Sequence, residues 1–364
     1  MALDTAVVGL GVVSDTHLEG IDANPRTRLA AVSDIDTDRV RATTSEYGVP
    51  GYEETTELIA SESLDWAHIC TPVQTHVELG KMFIEAGIPI LIEKPIAETT
   101  EGVDELQALS REHSVPVTSV QNHIFTPAMR KLTGKRDSGD IGRIQGVDMI
   151  YVGETLPDEA NRGSWVFDLP SGEFEEGLPH PIYLTLKAGG WPRSKEAIDA
   201  RTSLTREYDL DIKYDSAQIQ YATESGVLCS LKMLAGSVPQ RRLYVHGTDG
   251  SLMADFVSQT MVPVERDYMS SAMSRVQYNT DQAFARAWGT VENGAIVARR
   301  QLDGDWESMK NANSHFYQFD REAYSLETDS EMPVPLKQSW WTIALMEALR
   351  SSTMASPSQK VKNS

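Results

Sequence analysis

Two stretches of this 364-residue chain carry residue types that could do chemistry. The first is Glu93-Lys94-Pro95, which closes the run Gly87-Ile88-Pro89-Ile90-Leu91-Ile92. A short apolar, β-rich run that stops at a charged pair and a proline reads as a buried strand ending at its carboxyl edge. Ligands of open α/β sheets bind outside that edge. A lysine there is a partly desolvated ammonium, able to donate a hydrogen bond or to shift its pKa. Taken alone, the motif fits a surface lysine at least as well. The second stretch is Gly9-Leu10-Gly11-Val12-Val13-Ser14, a Gly-x-Gly-x-x-Gly pattern with serine in the third place. The first glycine permits a tight turn, the second lets backbone approach a pyrophosphate, and the third needs only a small residue. Asp34 lies 25 positions after Gly9. That spacing suits a carboxylate that accepts from an adenosine ribose and repels a 2′-phosphate, so NAD is expected rather than NADP.

The elements that must hold these residues alternate. A strand over 2–8 runs into the glycine loop, and a helix follows over 15–21. A strand over 28–33 delivers Asp34, and Asp36 is placed to cap a helix over 37–47 that stops at Gly48. A short helix over 53–61, a strand over 65–70 and a helix over 76–86 come next, with Thr71 or Thr75 as its cap. The opening strand, a helix over 99–113 and a strand over 115–121 complete the series. Strictly alternating strand and helix predict a doubly wound parallel sheet of Rossmann type over 1–122. After Pro127 strands cluster, at 144–152, 216–223, 226–234, 241–246 and 251–256, with a further strand-like stretch near 295–302. Such grouping predicts an α+β domain over 123–350 with a large, mostly antiparallel open sheet. Residues 261–285 show no clear pattern. The last helix, about 336–351 and amphipathic, could pack back on the first domain, and 352–364 reads as a flexible tail.

Composition removes several function classes. The formal net charge of −20 argues against nucleic acid and anionic membranes as partners, and no apolar run is long enough to span a bilayer. The apolar N-terminus lacks a basic leader, so it reads as a folded strand and the chain as cytoplasmic. Cys70 and Cys229 are expected to be small buried hydrophobes, and no Cys/His spacing suggests a metal site. An acidic surface in which Arg outnumbers Lys fits a protein working in high salt.

Taken together, these pieces resemble the Gfo/Idh/MocA family, which includes glucose–fructose oxidoreductase and inositol dehydrogenases. The resemblance rests on the glycine loop with His17-Leu18 behind it, Asp34, Cys70-Thr71-Pro72 with His76, Glu93-Lys94-Pro95-Ile96 and Asn122 with Phe125-Thr126-Pro127. Gly139-Asp140-Ile141-Gly142 and Gly247-Thr248-Asp249-Gly250-Ser251-Leu252 extend it through the second half. It implies cofactor contacts from Gly9, Gly11, Val12, Val13, Asp34, Thr71, Pro72, His76, Glu93, Lys94 and Asn122. It also implies a second catalytic element like Asp-x-Gly-x-His, whose counterpart here is Glu176-Gly177-Leu178-Pro179-His180. Glutamate replaces aspartate, and Leu178 replaces a glycine where it would fill space beside substrate.

An acid and a histidine at i and i+4 share one helical face, and the carboxylate can orient the imidazole. A plain surface pair has the same spacing; opposition to Lys94 would make it catalytic. The resemblance then implies hydride transfer between nicotinamide and a secondary alcohol of a sugar, polyol or sugar derivative. His180 would take the hydroxyl proton, Lys94 would stabilise the oxyanion, and Glu176 would orient His180 or bond a neighbouring hydroxyl. His123, Trp165 and Asp168 are further candidates to touch substrate. Family side branches leave two alternatives: tightly held NAD used transiently for net hydrolysis or epimerisation, and a non-catalytic NAD-binding regulator. A homodimer or homotetramer through the open sheet is expected.

Overall fold

The computed structural model describes residues 2–264 and 271–355. The chain forms two compact units, one made of residues 1–126 and 294–343, the other of 127–293 and 344–364. The first unit opens with the expected alternation. It runs β1 (Leu3–Val8), α1 (Ser14–Ala23), β2 (Thr27–Ser33), α2 (Thr37–Tyr47), β3 (Gly51–Tyr52), α3 (Thr55–Ser61), β4 (Trp66–Ile69), α4 (His76–Glu85), β5 (Ile90–Ile92), α5 (Thr100–His113) and β6 (Val117–Ser119). All pairings are parallel, in the order β3-β2-β1-β4-β5-β6. This is the doubly wound dinucleotide-binding order, with its switch point between β1 and β4. The local reasons are those the residues suggest. The Asp36 carboxylate accepts from the amides of Asp38 and Arg39, and Gly48 ends α2 in the left-handed region. Thr75 does not cap α4, because its hydroxyl donates to Thr71 Oγ1 and the Pro72 carbonyl.

The second unit contributes α6 (Pro127–Asp137), β7 (Ile144–Val152), α7 (Gly172–Gly177), α8 (Pro179–Gly189), β8 (Asp199–Ser203), β9 (Ser216–Ala222), β10 (Leu228–Leu234), β11 (Gln240–Gly247), β12 (Ser251–Asp255) and β13 (Thr260–Val264). Its sheet runs β13-β12-β11-β7-β10-β9-β8, and only β7 with β10 is parallel. The inward row, Val147, Met149, Ile219, Leu231, Leu243 and Val245, is buried, and α8 packs on this face. The outward row is polar: Asp148 accepts from Ser230 and lies 3.3 Å from His246 Nε2, whose ring stacks on Tyr244.

Helices then close the chain: α9 (Ala272–Asp303), α10 (Trp306–Ala312), α11 (Ser314–Thr328) and α12 (Leu336–Ala355). Three expectations are corrected here. The stretch near 295–302 is the end of α9, not a strand; its apolar residues fall at steps of three and four when read with those upstream. Residues 261–285 resolve into the end of β13 and the start of α9, with 265–270 outside the described residues. The closing helix is buried all round over 341–346 rather than amphipathic, and helix continues to Ala355 where a tail was expected; 356–364 lie outside the described residues. The first unit also regains the chain at Gly294, well before the closing helix. There Phe316, Phe319 and Ala323 of α11 form a core with Trp66, Leu91 and Val120. Gly20 of α1 allows the approach, since a Cβ there would sit 2.8 Å from the Phe319 ring.

Candidate active site

Gly9 ends β1 with φ +90°, and a Cβ on it would meet Thr71 N at 2.7 Å. Glycine is therefore required for the β1 and β4 loops to pass this closely. Gly11 is different. A Cβ there would meet nothing nearer than Arg39 Nη1 at 3.9 Å, so open space lies over its backbone. The following helix has no side-chain cap at Val13, which leaves amide hydrogens of its first turn for an anion. Ser14, in the third place of the motif, is buried and donates to the Gly11 carbonyl at 2.6 Å, bracing the turn. Asp34 Oδ2 accepts from Leu10 N at 2.6 Å and Oδ1 from Asp36 N at 2.8 Å. It ties the glycine loop to the end of β2, with Arg39 Nη1 3.9 Å away. Open backbone at the glycine turn beside a carboxylate has the chemistry to take a dinucleotide.

Lys94 follows β5, and its peptide bond to Pro95 is cis. Its partner in the motif, Glu93, is buried and fully engaged. One Glu93 oxygen accepts from Lys94 N at 2.9 Å; the other lies 3.0 Å from His17 Nε2. Burial would raise the Glu93 pKa, but the hydrogen bond from His17 and the fields of His17, His315 and Lys94 outweigh it and hold it at about 2. His17 Nδ1 in turn meets His68 Nδ1 at 2.8 Å. Because Glu93 is ionised, His17 Nε2 must donate to it. The His68 pKa is pushed well down by burial, then by His17. Together His17 and His68 form a buried brace behind the lysine loop. For His68 the detectable signal was a polar side chain inside the otherwise apolar strand β4.

His76 is also buried, with Nδ1 2.9 Å from the Pro95 carbonyl and Nε2 2.8 Å from the Thr71 carbonyl. Burial lowers its pKa while these carbonyls oppose that shift. The ring lies between the two loops, and as a neutral imidazole it donates to one of the two carbonyls at a time. Asn122 Nδ2 bonds Ser314 Oγ at 3.2 Å, in a short helical turn that also carries the half-buried His123.

In the second unit, Glu176 closes α7 and His180 opens α8. The expected single helical face is interrupted between them, because Pro179 has no amide hydrogen to continue the ladder. Glu176 is 9% exposed and lies 3.8 Å from Arg162 Nε. His180 is half-buried, with Nδ1 2.6 Å from the hydroxyl of the fully buried Tyr183. Tyr183 and Arg162 were not anticipated, although Tyr183 stands at i+3 from His180 on a helical face. Leu178 is 1% exposed and belongs to the core. Trp165 Nε1 donates to the Arg162 carbonyl, and Asp168 is exposed in the same turn.

Residues 3–121 match the oxidoreductase family described as an NAD-binding Rossmann fold, named for Gfo, Idh and MocA. The chain carries a Rossmann domain of the Gfo/Idh/MocA oxidoreductase family over these residues. It is 25% identical over 324 residues to inositol 2-dehydrogenase of Rhizobium meliloti, covering 84% of this chain and 93% of that one. To myo-inositol 2-dehydrogenase of Thermotoga maritima it is 25% identical, covering 75% and 80%. Its fold is similar to that of the WlbA dehydrogenase from Bordetella pertussis, crystallised with NADH and UDP-GlcNAcA, at a TM-score of 0.75 and 17% identity over 97% of this chain and 96% of that one. The matched Rossmann domain is followed in the chain by a mostly antiparallel sheet domain.

Proposed function

We propose that this Gfo/Idh/MocA-family member is an NAD-dependent dehydrogenase acting on a secondary alcohol of a sugar, polyol or sugar derivative. The observation that carries the reading is the loop edge of the first sheet. Open space over Gly11, the uncapped start of α1 and the Asp34 carboxylate belong to the same edge of the sheet as Lys94. Relatives named for inositol oxidation, and folds crystallised with NADH and a nucleotide sugar, support a polyhydroxylated substrate.

NAD, when bound, supplies the hydride acceptor. The remaining work falls to side chains. His180 takes the hydroxyl proton through Nε2, while its Nδ1 hydrogen donates to Tyr183. In that tautomer Nε2 is the basic nitrogen of the ring. Lys94 donates to a substrate oxygen as negative charge grows on it, and the Glu93 brace holds the lysine backbone in place. Glu176, beside Arg162, holds a neighbouring hydroxyl or steers the imidazole. Asp34 favours NAD over NADP by accepting from the ribose hydroxyls.

The test is reduction of NAD⁺ and NADP⁺ with a panel of inositols, sugars, sugar acids and nucleotide sugars. Lys94→Ala and His180→Ala should each lose about 10²–10⁴-fold in kcat while NAD affinity holds. Wild-type turnover in either variant would sink the assignment. Substrate consumed without NADH release would instead mean that the cofactor is used transiently.

A further inference from the structure

One cation on the inner face of the large sheet stands without a carboxylate. Arg241 of β11 pairs in register with Tyr151 of β7. Side chains alternate along a strand, so both belong to the face that carries Val147 and Leu243 and on which α8 packs. The Arg241 guanidinium carbon lies over the Tyr151 ring, 4.8 Å from its centroid. Such a contact holds a guanidinium in place without cancelling its charge. Arg241 Nε is buried and makes no hydrogen bond, and among the described residues no carboxylate pairs with this side chain. Its neighbour Arg242, on the opposite face, pairs with Asp255 at 3.1 Å. A guanidinium that has lost water without gaining an acceptor is costly, and an anion supplied from outside offsets that cost.

The same end of the sheet carries the acid–imidazole pair. The Tyr214 hydroxyl donates to Glu175 Oε2 at 2.9 Å. Tyr214 lies just before Ser216, the start of β9, and the register runs from Ser216 to Leu234 and on to Val152, next to Tyr151. The end of α7, with Glu175 and Glu176, thus stands at the Tyr151 end of β7. The course of α8 agrees. At its far end a Cβ on Gly189 would sit 3.0 Å from Val147 Cγ2. From Gly189 back to His180 is about 13 Å along the helix, and from Val147 on to Tyr151 is about 13 Å along the strand. Burial raises the Tyr151 pKa, Arg241 opposes that shift and Glu176 adds to it, so both charges reach the phenol. Glu176 already faces Arg162 at 3.8 Å.

We propose that Arg241 binds a substrate carboxylate and that the substrate is a hexuronic or aldonic acid, a narrowing that rests on the dehydrogenase reading above. One positive charge matches one carboxylate, and a guanidinium fork fits that planar group. A diphosphate carries more charge than one guanidinium matches, and Arg162 is committed to Glu176. In a chain of net charge −20, a positive charge kept at this place also offsets the repulsion that an acid would meet.

The test uses the full chain with NAD⁺ and matched pairs: D-glucuronate against D-glucose, D-galacturonate against D-galactose, and D-gluconate against D-glucitol. Glucose 6-phosphate and UDP-glucose form the phosphate-bearing arm. NADH formation and calorimetric titration are both read. At least one acid should exceed its neutral partner about tenfold or more in kcat/KM and in affinity. Arg241→Gln should lose roughly 10- to 100-fold in kcat/KM for that acid, mostly through KM, and Arg241→Lys should recover part of it. The wild-type preference decides the matter even if Arg241→Gln fails to fold. Neutral sugars preferred to acids, phosphate-bearing sugars bound more tightly than carboxylates, or no acid bound at all overturns the proposal, while turnover of any compound leaves the dehydrogenase reading standing. An Arg241→Gln variant that loses acids and neutral sugars alike overturns it too. Acid binding that depends on Arg241 without NADH formation supports the carboxylate site and removes the dehydrogenase reading instead.

Discussion

At the scale of single residues, the proposed chemistry depends on side chains that hold others in a working state. Tyr183 is the clearest case. Its hydroxyl meets His180 Nδ1 at 2.6 Å, so the pair exchanges one hydrogen bond that fixes the ring's orientation. Tyr183→Phe should cut kcat by about tenfold or more, a fraction of what general base catalysis supplies. KM should change little, and the acid limb of the pH–rate profile should move; a parallel rise in KM with unchanged kcat would count against the role. Glu322 makes the opposite kind of statement. It is fully buried in α11, and burial raises its pKa to about 8 against the bonds from Gln318 and Thr118. The folded state keeps a proton that the unfolded state releases between about pH 4.5 and 8. Its contribution is therefore full below about pH 4.5 and is lost as pH rises through 8, with a slope of at most ~1.4 kcal/mol per pH unit. Glu322→Gln should melt with the wild type near pH 5 and above it at pH 8. Melting curves of the two proteins that stay parallel across this range would refute it.

At the scale of elements, loops after parallel strands carry the candidate site, and their close approach sets the cost of change. Gly9 and Gly48 both adopt positive φ, at 90° and 69°, yet they differ in surroundings. A Cβ at Gly9 would collide with Thr71 and Cys70 backbone, whereas a Cβ at Gly48 meets nothing within 4 Å. Gly48→Ala should cost about 1 kcal/mol, the conformational penalty alone. Gly9→Ala should cost more than twice that and weaken NAD binding at least tenfold, because the β1 and β4 loops must part. Thermal melts and NAD titration of both variants check the contrast; equal losses would show that crowding at Gly9 is unimportant. The helical half of the first unit also shows how elements remote in sequence close a core. Gln318 of α11 donates to the Ser119 carbonyl and accepts from Gln121 N, so it completes polar groups left by the end of β6.

At the scale of the whole molecule, charge sets the terms. With a net charge of −20, self-repulsion opposes the folded state and should weaken as salt shortens the screening length from ~10 Å at 0.1 M to ~3 Å at 1 M. Melting temperature should therefore climb with potassium chloride over that range, read by scanning fluorimetry; a flat response would remove the high-salt habitat as an explanation of the composition. Among the described residues, no helix is long and apolar enough to cross a membrane.

Much of the first unit was readable from the chain alone. Strand–helix alternation, the glycine loop, Asp34 and the Glu93-Lys94-Pro95 edge depend on local patterning, where side-chain period and backbone needs act within a few residues. The α9 helix was missed because its apolar residues face outward, so the usual link between periodicity and a core did not apply. What required the tertiary structure was every relation between distant positions. His17, His68 and Glu93 come from three elements, and only their packing turns three polar side chains into one hydrogen-bonded brace. Gln318 and Glu322 reach β6 from about 200 positions away, which no local signal reports. A sequence determines which residues can bear charge, turn a chain or fill a core. Burial and the approach of chemically matched groups across the fold decide which of them hold a proton, a loop or a neighbour, because desolvation and hydrogen-bond geometry arise only there.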